Sequence, residues 1–389
     1  MIDEKAARGN IAIVIDSNNL PHIAYLGYQT VHSDSPIDVV YASFNGTIWQ
    51  TQVVTEGSGK IDLALDSSNN PHITFNDNRN EALMYAQWNG NNWTIQQVDA
   101  NGRFGSLKLD SKGNPHIAYR VDDVLKYAYF NESNWNTQIL DSSRYELLDY
   151  QSSLCLDKND NPHILYGFNT GQTSNSVSTL KYAYLNDYGW KIQTVASNVD
   201  IGFGNLALDS YGNPHLTYAK GHPQSTSNHV TITHLSFNGS QWGSDVIAND
   251  VMILGYGSAY LTIEANDTVY ASYPTYDNSY LVGSLQLAKL TSGMWNTETV
   301  VNASTMVGFS PIASDSKGNL HVAYFDVNIN STSHNAYLYY ATSTNQLSTI
   351  PQSNLFLTAL IVLTIATIVS SIVGLLLVSR HRKTSSLKQ

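Results

Sequence analysis

The sequence predicts an all-β fold: a seven-bladed β-propeller of four-stranded antiparallel blades, followed by a single C-terminal transmembrane helix. Three observations predict it. A motif returns seven times, a second half-motif follows each copy, and one long run near the end carries no charge.

The first motif reads LDSKGNPHIAY at 109–119 and recurs every 44 to 55 residues, beginning at Ile15, Leu65, Leu109, Leu156, Leu208, Ile263 and Ser314. Acid to histidine is six residues and acid to the last aromatic nine; the sixth copy puts Tyr270 in the histidine's place. The half-motif reads YASFNGTIW, YAQWNGNNW, YAYFNESNW, YAYLNDYGW, HLSFNGSQW and LAKLTSGMW, and its seventh copy, from Tyr340, has no tryptophan.

These patterns give four strands per unit. Strand a is an apolar run ending at the acid. Strand b is P-H-I-A-Y, with proline at its first residue, where a missing N–H costs least. Strand c is L-x-Y-A-x-x-N, and strand d begins at the tryptophan. Asn-Gly between c and d tolerates the positive φ of a tight hairpin. Four-stranded units of this period cannot bury their own faces singly and pack into a propeller. Ile2 precedes Asp16 by the same 14 residues that separate Val195 from Asp209. Residues 1–3 therefore read as the end of a strand d that closes the ring by pairing into the last blade. Its tryptophan, and an absent signal segment, would lie upstream; Gln346–Ile350 is the lesser candidate for that closing strand.

The expected organisation is an ectodomain over 1–345, a linker at 346–354, a span over 355–378 and a basic tail at 379–389. Leu355–Val378 is 24 residues without a charge, long enough to cross a ~30 Å hydrocarbon core. Arg380, His381, Arg382 and Lys383 follow, which places the tail in the cytoplasm and the rest outside. Every acid precedes the span and four Lys/Arg follow it, so removing those four from the net −11 leaves −15 outside. Such an acidic exterior argues against nucleic-acid binding. Seven Asn-x-Ser/Thr sequons, at Asn45, Asn92, Asn131, Asn238, Asn266, Asn302 and Asn330, suit an exported glycoprotein. Cys155 is the sole cysteine and reads as a buried structural thiol.

The recurrent pairs Asp16–His22, Asp66–His72, Asp110–His116, Asp157–His163, Asp209–His215 and Asp315–His321 read as scaffold. One active site does not need a ring of copies, and histidines on strand b of different blades cannot converge on one metal. No metal or cofactor is expected. Selectivity must then lie in what is not repeated. The ectodomain's five arginines, Arg8, Arg79, Arg103, Arg120 and Arg144, are expected in the upper b–c and d–a loops between the seven/one and three/four junctions. Asp77, Glu81, Asp122, Asp123, Tyr145 and Glu146 accompany them. Long b–c loops in blades one, four, five and seven would flank a depression over blades two and three. Arginine's fork pairs bidentately with carboxylate, so this sector is the candidate site for an anionic or polyhydroxyl ligand, a glycan above all.

The D-S-x-G-N-P-H-I-A-Y … Y-A-x-x-N-G-x-x-W repeat, over about 10–345, resembles secreted or membrane-anchored repeat proteins of archaea and bacteria placed near the sialidase-like propellers. Sialidases bind a carboxylate with three arginines and use a Tyr–Glu pair beside an acid. The resemblance therefore implies roles for the arginines, Tyr145–Glu146 and Asp122/Asp123. The S-x-D-x-G-x-T-W box of that family is absent here. The main expectation is a non-enzymatic module that binds a glycan or a cell-surface protein and is held to the membrane by its C-terminal helix. The alternatives are a sialidase-like glycoside hydrolase and a structural envelope protein.

Overall fold

The computed structural model describes residues 1–343 except 29–36, 78, 80–81, 132, 143–151, 170–177, 200–203, 222–228, 254–258, 278–282, 303–305 and 328–334. The chain divides into two units, Met1–Asn345 and Gln346–Gln389. The second lies outside the described residues, and with it the linker, the span Leu355–Val378 and the tail. Among the described residues no helix is long and apolar enough to cross a membrane.

All described elements are strands, and they run as repeated four-stranded antiparallel sheets. Blade one holds β1 (Asp3–Ile15), β2 (Pro21–Gly27), β3 (Asp38–Phe44) and β4 (Trp49–Glu56). Blade two holds β5 (Ser58–Leu65), β6 (Pro71–Asn76), β7 (Leu83–Trp88) and β8 (Trp93–Asp99). Blade three holds β9 (Arg103–Leu109), β10 (Pro115–Val121), β11 (Val124–Phe130) and β12 (Trp135–Ser142). Blade four holds β13 (Ser153–Leu156), β14 (Pro162–Asn169), β15 (Ser178–Asn186) and β16 (Gly189–Val199). Blade five holds β17 (Asn205–Leu208), β18 (Pro214–Gly221), β19 (His229–Phe237) and β20 (Trp242–Met252). Blade six holds β21 (Tyr260–Ile263), β22 (Val269–Tyr276), β23 (Gly283–Thr291) and β24 (Met294–Asn302). Blade seven holds β25 (Met306–Gly308), β26 (Ile312–Ser314), β27 (Leu320–Val327) and β28 (Asn335–Thr342). Its strand a is broken in two: β25 and β26 both pair β27, and Ser310 and Pro311 lie between them. Proline has no N–H to give the ladder.

The inner strands β1, β5, β9, β13, β17, β21 and β26 touch in succession, and β26 touches β1 again. The sheets therefore form a closed, propeller-like ring. One apolar cluster fills each junction between neighbouring blades, as where Leu63 and Phe75 of blade two meet Val39 and Tyr41 of blade one.

Closure runs through β1. Its second half, Ile11–Ile15, pairs β2, while Asp3, Ala6 and Ala7 pair Leu338, Ala336 and Asn335 of β28. One continuous strand thus serves two blades, with its register shifted between Ala6 and Ile11. The fourth strand of blade seven comes from the N-terminal stretch of the chain, as the spacing around Ile2 requires. Gln346–Ile350 lies outside the described residues.

Repeated side chains hold the ring together. The a–b turn acid folds back on its own loop: Asp110 Oδ1 accepts the N–H groups of Lys112 and Asn114 at 2.9 and 2.7 Å, and its Oδ2 accepts Asn114 Nδ2 at 2.8 Å. Burial alone would raise these carboxyls. The loop N–H groups outweigh it and hold them below the ordinary aspartate value. The next histidine faces the acid through Nε2, at 3.6 Å for His116–Asp110. Its Nδ1 is hydrogen-bonded to a tyrosine hydroxyl on strand c: His22 to Tyr41, His72 to Tyr85, His116 to Tyr127, His163 to Tyr182 and, at 2.6 Å, His321 to Tyr340. In blade five His234 takes the tyrosine's place, 3.0 Å from His215. That strand c residue then meets the tryptophan of the next blade in a T-shaped contact, as in Tyr85–Trp135 and Tyr127–Trp190 at 5.4 and 5.3 Å, and Tyr340–Trp49 across the closure. Such pairs contribute about 0.5–1.5 kcal/mol each beyond burial. Cys155 is half-buried, its thiol pushed up to about 11 by desolvation, and it points at the Leu206 carbonyl, 3.1 Å away.

Candidate functional site

Strand a runs from the upper rim to the lower, so the a–b turns lie below and the b–c and d–a connections above. The arginine sector is on the upper rim. Three of its members are strand residues and not loop residues, contrary to the sequence reading. Arg103 opens β9, Arg120 lies near the end of β10, and the two are direct register partners. The loop expected around Arg120 shrinks to a two-residue turn, Asp122–Asp123, because β10 and β11 pair up to Val121↔Val124. Asp122 takes φ 46° in that turn, a conformation a short acidic side chain tolerates. Arg8 likewise falls inside β1.

Side chains of directly opposed residues stand on the same face of a ladder, with Cβ atoms about 4.5–5.5 Å apart. Arg103 and Arg120 are therefore rooted on one face of blade three, at its upper end. Arg120 Nε donates to the Asp122 carbonyl at 2.7 Å, which holds its guanidinium against the turn. Arg79 is exposed on the neighbouring b–c connection. Its backbone N–H donates to Asp77 Oδ1 at 2.5 Å, and its guanidinium lies 3.6 Å from Glu56. That ion pair is with the end of β4, so Arg79 faces blade one while Arg103 and Arg120 form the nearer pair. Arg144, Tyr145, Glu146 and Glu81 lie outside the described residues.

Asn76 ties these segments together, and the repeat pattern did not single it out. It is buried at the end of β6; its Nδ2 donates to the Gly102 carbonyl at 2.9 Å, and its Oδ1 accepts the Phe104 N–H at 3.4 Å. It thus grips both neighbours of Arg103 from the blade that carries Arg79. Phe104 holds φ 57°, a strained value for an aromatic residue. Gly102 packs so closely that a Cβ there would meet Leu83 Cβ at 2.8 Å. The signal was available: the other strand b copies end in Tyr-Leu, Tyr-Arg, Tyr-Gly, Tyr-Ala, Tyr-Pro or Tyr-Phe, whereas blade two reads Phe-Asn.

A concave site lies elsewhere, in the central channel, about 320 Å³, lined by all seven inner strands. Around its middle, side chains of one strand accept main-chain N–H groups of the next. Asp62 accepts from Leu107 at 2.9 Å, Ser106 from Leu154 at 3.1 Å, Ser153 from Leu206 at 3.1 Å and Asn205 from Leu261 at 2.9 Å. Lys60 is buried and reaches past blade three to donate to the Ser152 carbonyl at 2.8 Å. Desolvation pulls its ammonium down to about 8; the Asp62 carboxylate opposes that fall and the nearby Lys108 ammonium adds to it. Among the described residues no cluster of His, Cys, Asp or Glu could hold a metal ion.

No family model matches the chain, and no curated protein matches it. Solved structures do. A polysaccharide lyase, an ulvan lyase of family PL25 bound to -[GlcA(1-4)Rha3S]-, superposes with TM-score 0.63 at 12% identity, covering 88% of this chain and 97% of that one. A fungal alcohol oxidase of the AA5 family, in complex with copper, gives TM-score 0.56 at 10% identity over 88% and 75%. The leech intramolecular trans-sialidase gives 0.44 at 12% identity over 88% and 68%. At these identities the likeness is one of fold. One fold carrying both a lyase and a copper oxidase leaves the chemistry to be argued from the site.

Proposed function

We propose that this chain is a carbohydrate-active protein that holds an anionic polysaccharide across the upper rim over blades two and three and cleaves it. The observation that carries the reading is the Arg103–Arg120 pair: two arginines in direct register at the upper ends of β9 and β10, beside a two-residue turn that carries two acids. A carboxylate or sulfate bridging them would take charge-assisted hydrogen bonds from both. The fold shared with a lyase bound to a uronate- and sulfate-bearing oligosaccharide supports the same ligand class. Cleavage ranks ahead of the adhesion role expected from the sequence. The acids beside the arginines, Asp122 and Asp123 with Tyr145 and Glu146 nearby in sequence, supply groups able to move a proton at the bound sugar.

The test is incubation of the protein with uronate-rich, sulfated and sialylated polysaccharides, following new reducing ends and the ultraviolet absorbance of unsaturated uronates. Arg103→Ala and Arg120→Ala should each weaken binding at least tenfold. Unchanged binding in both variants removes the site. A second reading, binding without cleavage, is favoured by the Arg79–Glu56 ion pair, which occupies one rim carboxylate. It would appear as arginine-dependent binding with no new chain ends. We read Leu355–Val378 as the membrane anchor of this ectodomain. Release of the protein from membranes by alkaline carbonate, without detergent, would refute that part.

A further inference from the structure

The channel contains a charge imbalance that the ring's architecture does not need. Of its ionisable side chains, Lys60 and Lys108 are cations and Asp62 is the carboxylate. Asp62 is already committed: its Oδ2 accepts Ser106 Oγ at 3.1 Å and the Leu107 N–H at 2.9 Å, and its Oδ1 accepts the Leu63 N–H at 2.9 Å. Lys60 satisfies one N–H on the Ser152 carbonyl, which carries no formal charge. Lys108 lines the same channel, half-buried, and its ammonium makes no hydrogen bond or ion pair among the described residues. One carboxylate thus faces two ammoniums in a confined space, and the remaining positive charge is costly without a further counter-charge.

Sequence position sharpens this. Across the seven copies the position of Lys108 is otherwise filled by Val14, Ala64, Cys155, Ala207, Thr262 and Ala313. Small or apolar side chains therefore complete this tier elsewhere, and packing does not require a lysine. The cavity, about 320 Å³, is roomy enough for several water-sized groups, each with a share of about 30 Å³ in the liquid.

We propose that the central channel is a binding site for a small oxyanion, an organic carboxylate or an inorganic anion, held by the Lys108 and Lys60 ammoniums. The site is separate from the upper-rim arginines and does not depend on the reading given above. A bound anion would neutralise Lys108, restore the Lys60 ammonium toward its ordinary value and brace blades two and three from inside.

The test is thermal melting and isothermal titration of the full chain with sodium acetate, sodium sulfate or sodium chloride at equal ionic strength. A saturable rise in melting temperature of about 3 °C at a hundredfold excess over Kd is expected with an oxyanion. Response to acetate alone identifies a carboxylate site; response to sulfate, an inorganic oxyanion site. Lys108→Ala and Lys108→Gln should abolish the saturable response yet melt near the parent protein in chloride, since no partner of Lys108 is lost. Arg103→Ala and Arg120→Ala should keep it, which separates this site from the rim. Equal responses to all three salts, no saturable response, or a response that survives in both Lys108 variants would overturn the proposal.

Discussion

Asn19 Oδ1 accepts the backbone N–H of Ser316 at 2.9 Å and its hydroxyl at 2.7 Å, across 297 residues of sequence. It fastens the lower turn of blade one to that of blade seven, below the place where β1 closes the ring. The same position repeats the clasp with Asn69 on Ser17, Asp160 on Ser111 and Asp267 on Ser210, and it is glycine at 113, 212 and 318. All seven hold positive φ. Where the residue has a side chain, it is one that accepts from the preceding blade's serine.

Asn19→Gly keeps the backbone comfortable and removes the clasp, whereas Asn19→Ala removes the clasp and adds strain at φ 65°. Losses of about 1 kcal/mol for glycine and about 2 for alanine are expected, read as denaturant midpoints with unchanged slopes. Equal stability of glycine and wild type would mean that the clasp contributes nothing.

Tyr85→Phe removes the hydroxyl that satisfies His72 Nδ1 and should cost about 1–3 kcal/mol. Trp135→Phe should cost less per polar atom lost, because the buried indole N–H of Trp135 has no acceptor. Neither change should alter glycan binding. A loss of binding without a loss of stability in Tyr85→Phe would move the Asp–His–Tyr chain from scaffold to site.

Acid should weaken the ring in two stages. Burial holds His22, His72, His116, His163, His215 and His321 below the ordinary 6.5, against the pull of their aspartates, and drives His234 to about 3. The unfolded chain therefore takes up protons first. This contribution is fully present above pH 6.5 and is lost as pH falls below it. Asp16, Asp66, Asp110, Asp157 and Asp315, depressed below 3.8, add a second loss beneath that value. Melting temperatures between pH 8 and 3 check the sign; a flat profile from 7 to 5 would contradict it.

Asn76→Ala should release the Gly102–Phe104 segment from blade two and lower polysaccharide affinity several-fold, with a stability loss of about 1–3 kcal/mol from the unmet backbone groups. Because Asn76 is buried beneath the rim, affinity and melting temperature should fall together. Affinity unchanged in a destabilised protein would show that Arg103 does not depend on this grip.

Gly57→Ala would set a Cβ 2.5 Å from Val39 Cγ2 and 2.7 Å from Phe75 Cδ2. Overpacking of that degree costs about 1–3 kcal/mol, measurable by chemical denaturation. A neutral substitution would mean that the blade one/two junction has slack.

The sequence by itself determined the seven-fold repetition, the four strands of each unit, their turns and the residues that recur, because period-two patterning and turn chemistry are local properties. It also determined that the first residues complete the last blade, since the spacing to Asp16 matched that of a strand d. Only the tertiary structure decided which odd residues meet. Arg103 and Arg120 stand 17 positions apart in the chain and became partners because β9 and β10 pair through a bulged register. Asn76, Lys60 and Lys108 carry no motif. Their surroundings are made by three different blades, and no local pattern records which backbone atom a side chain will meet once the ring is closed.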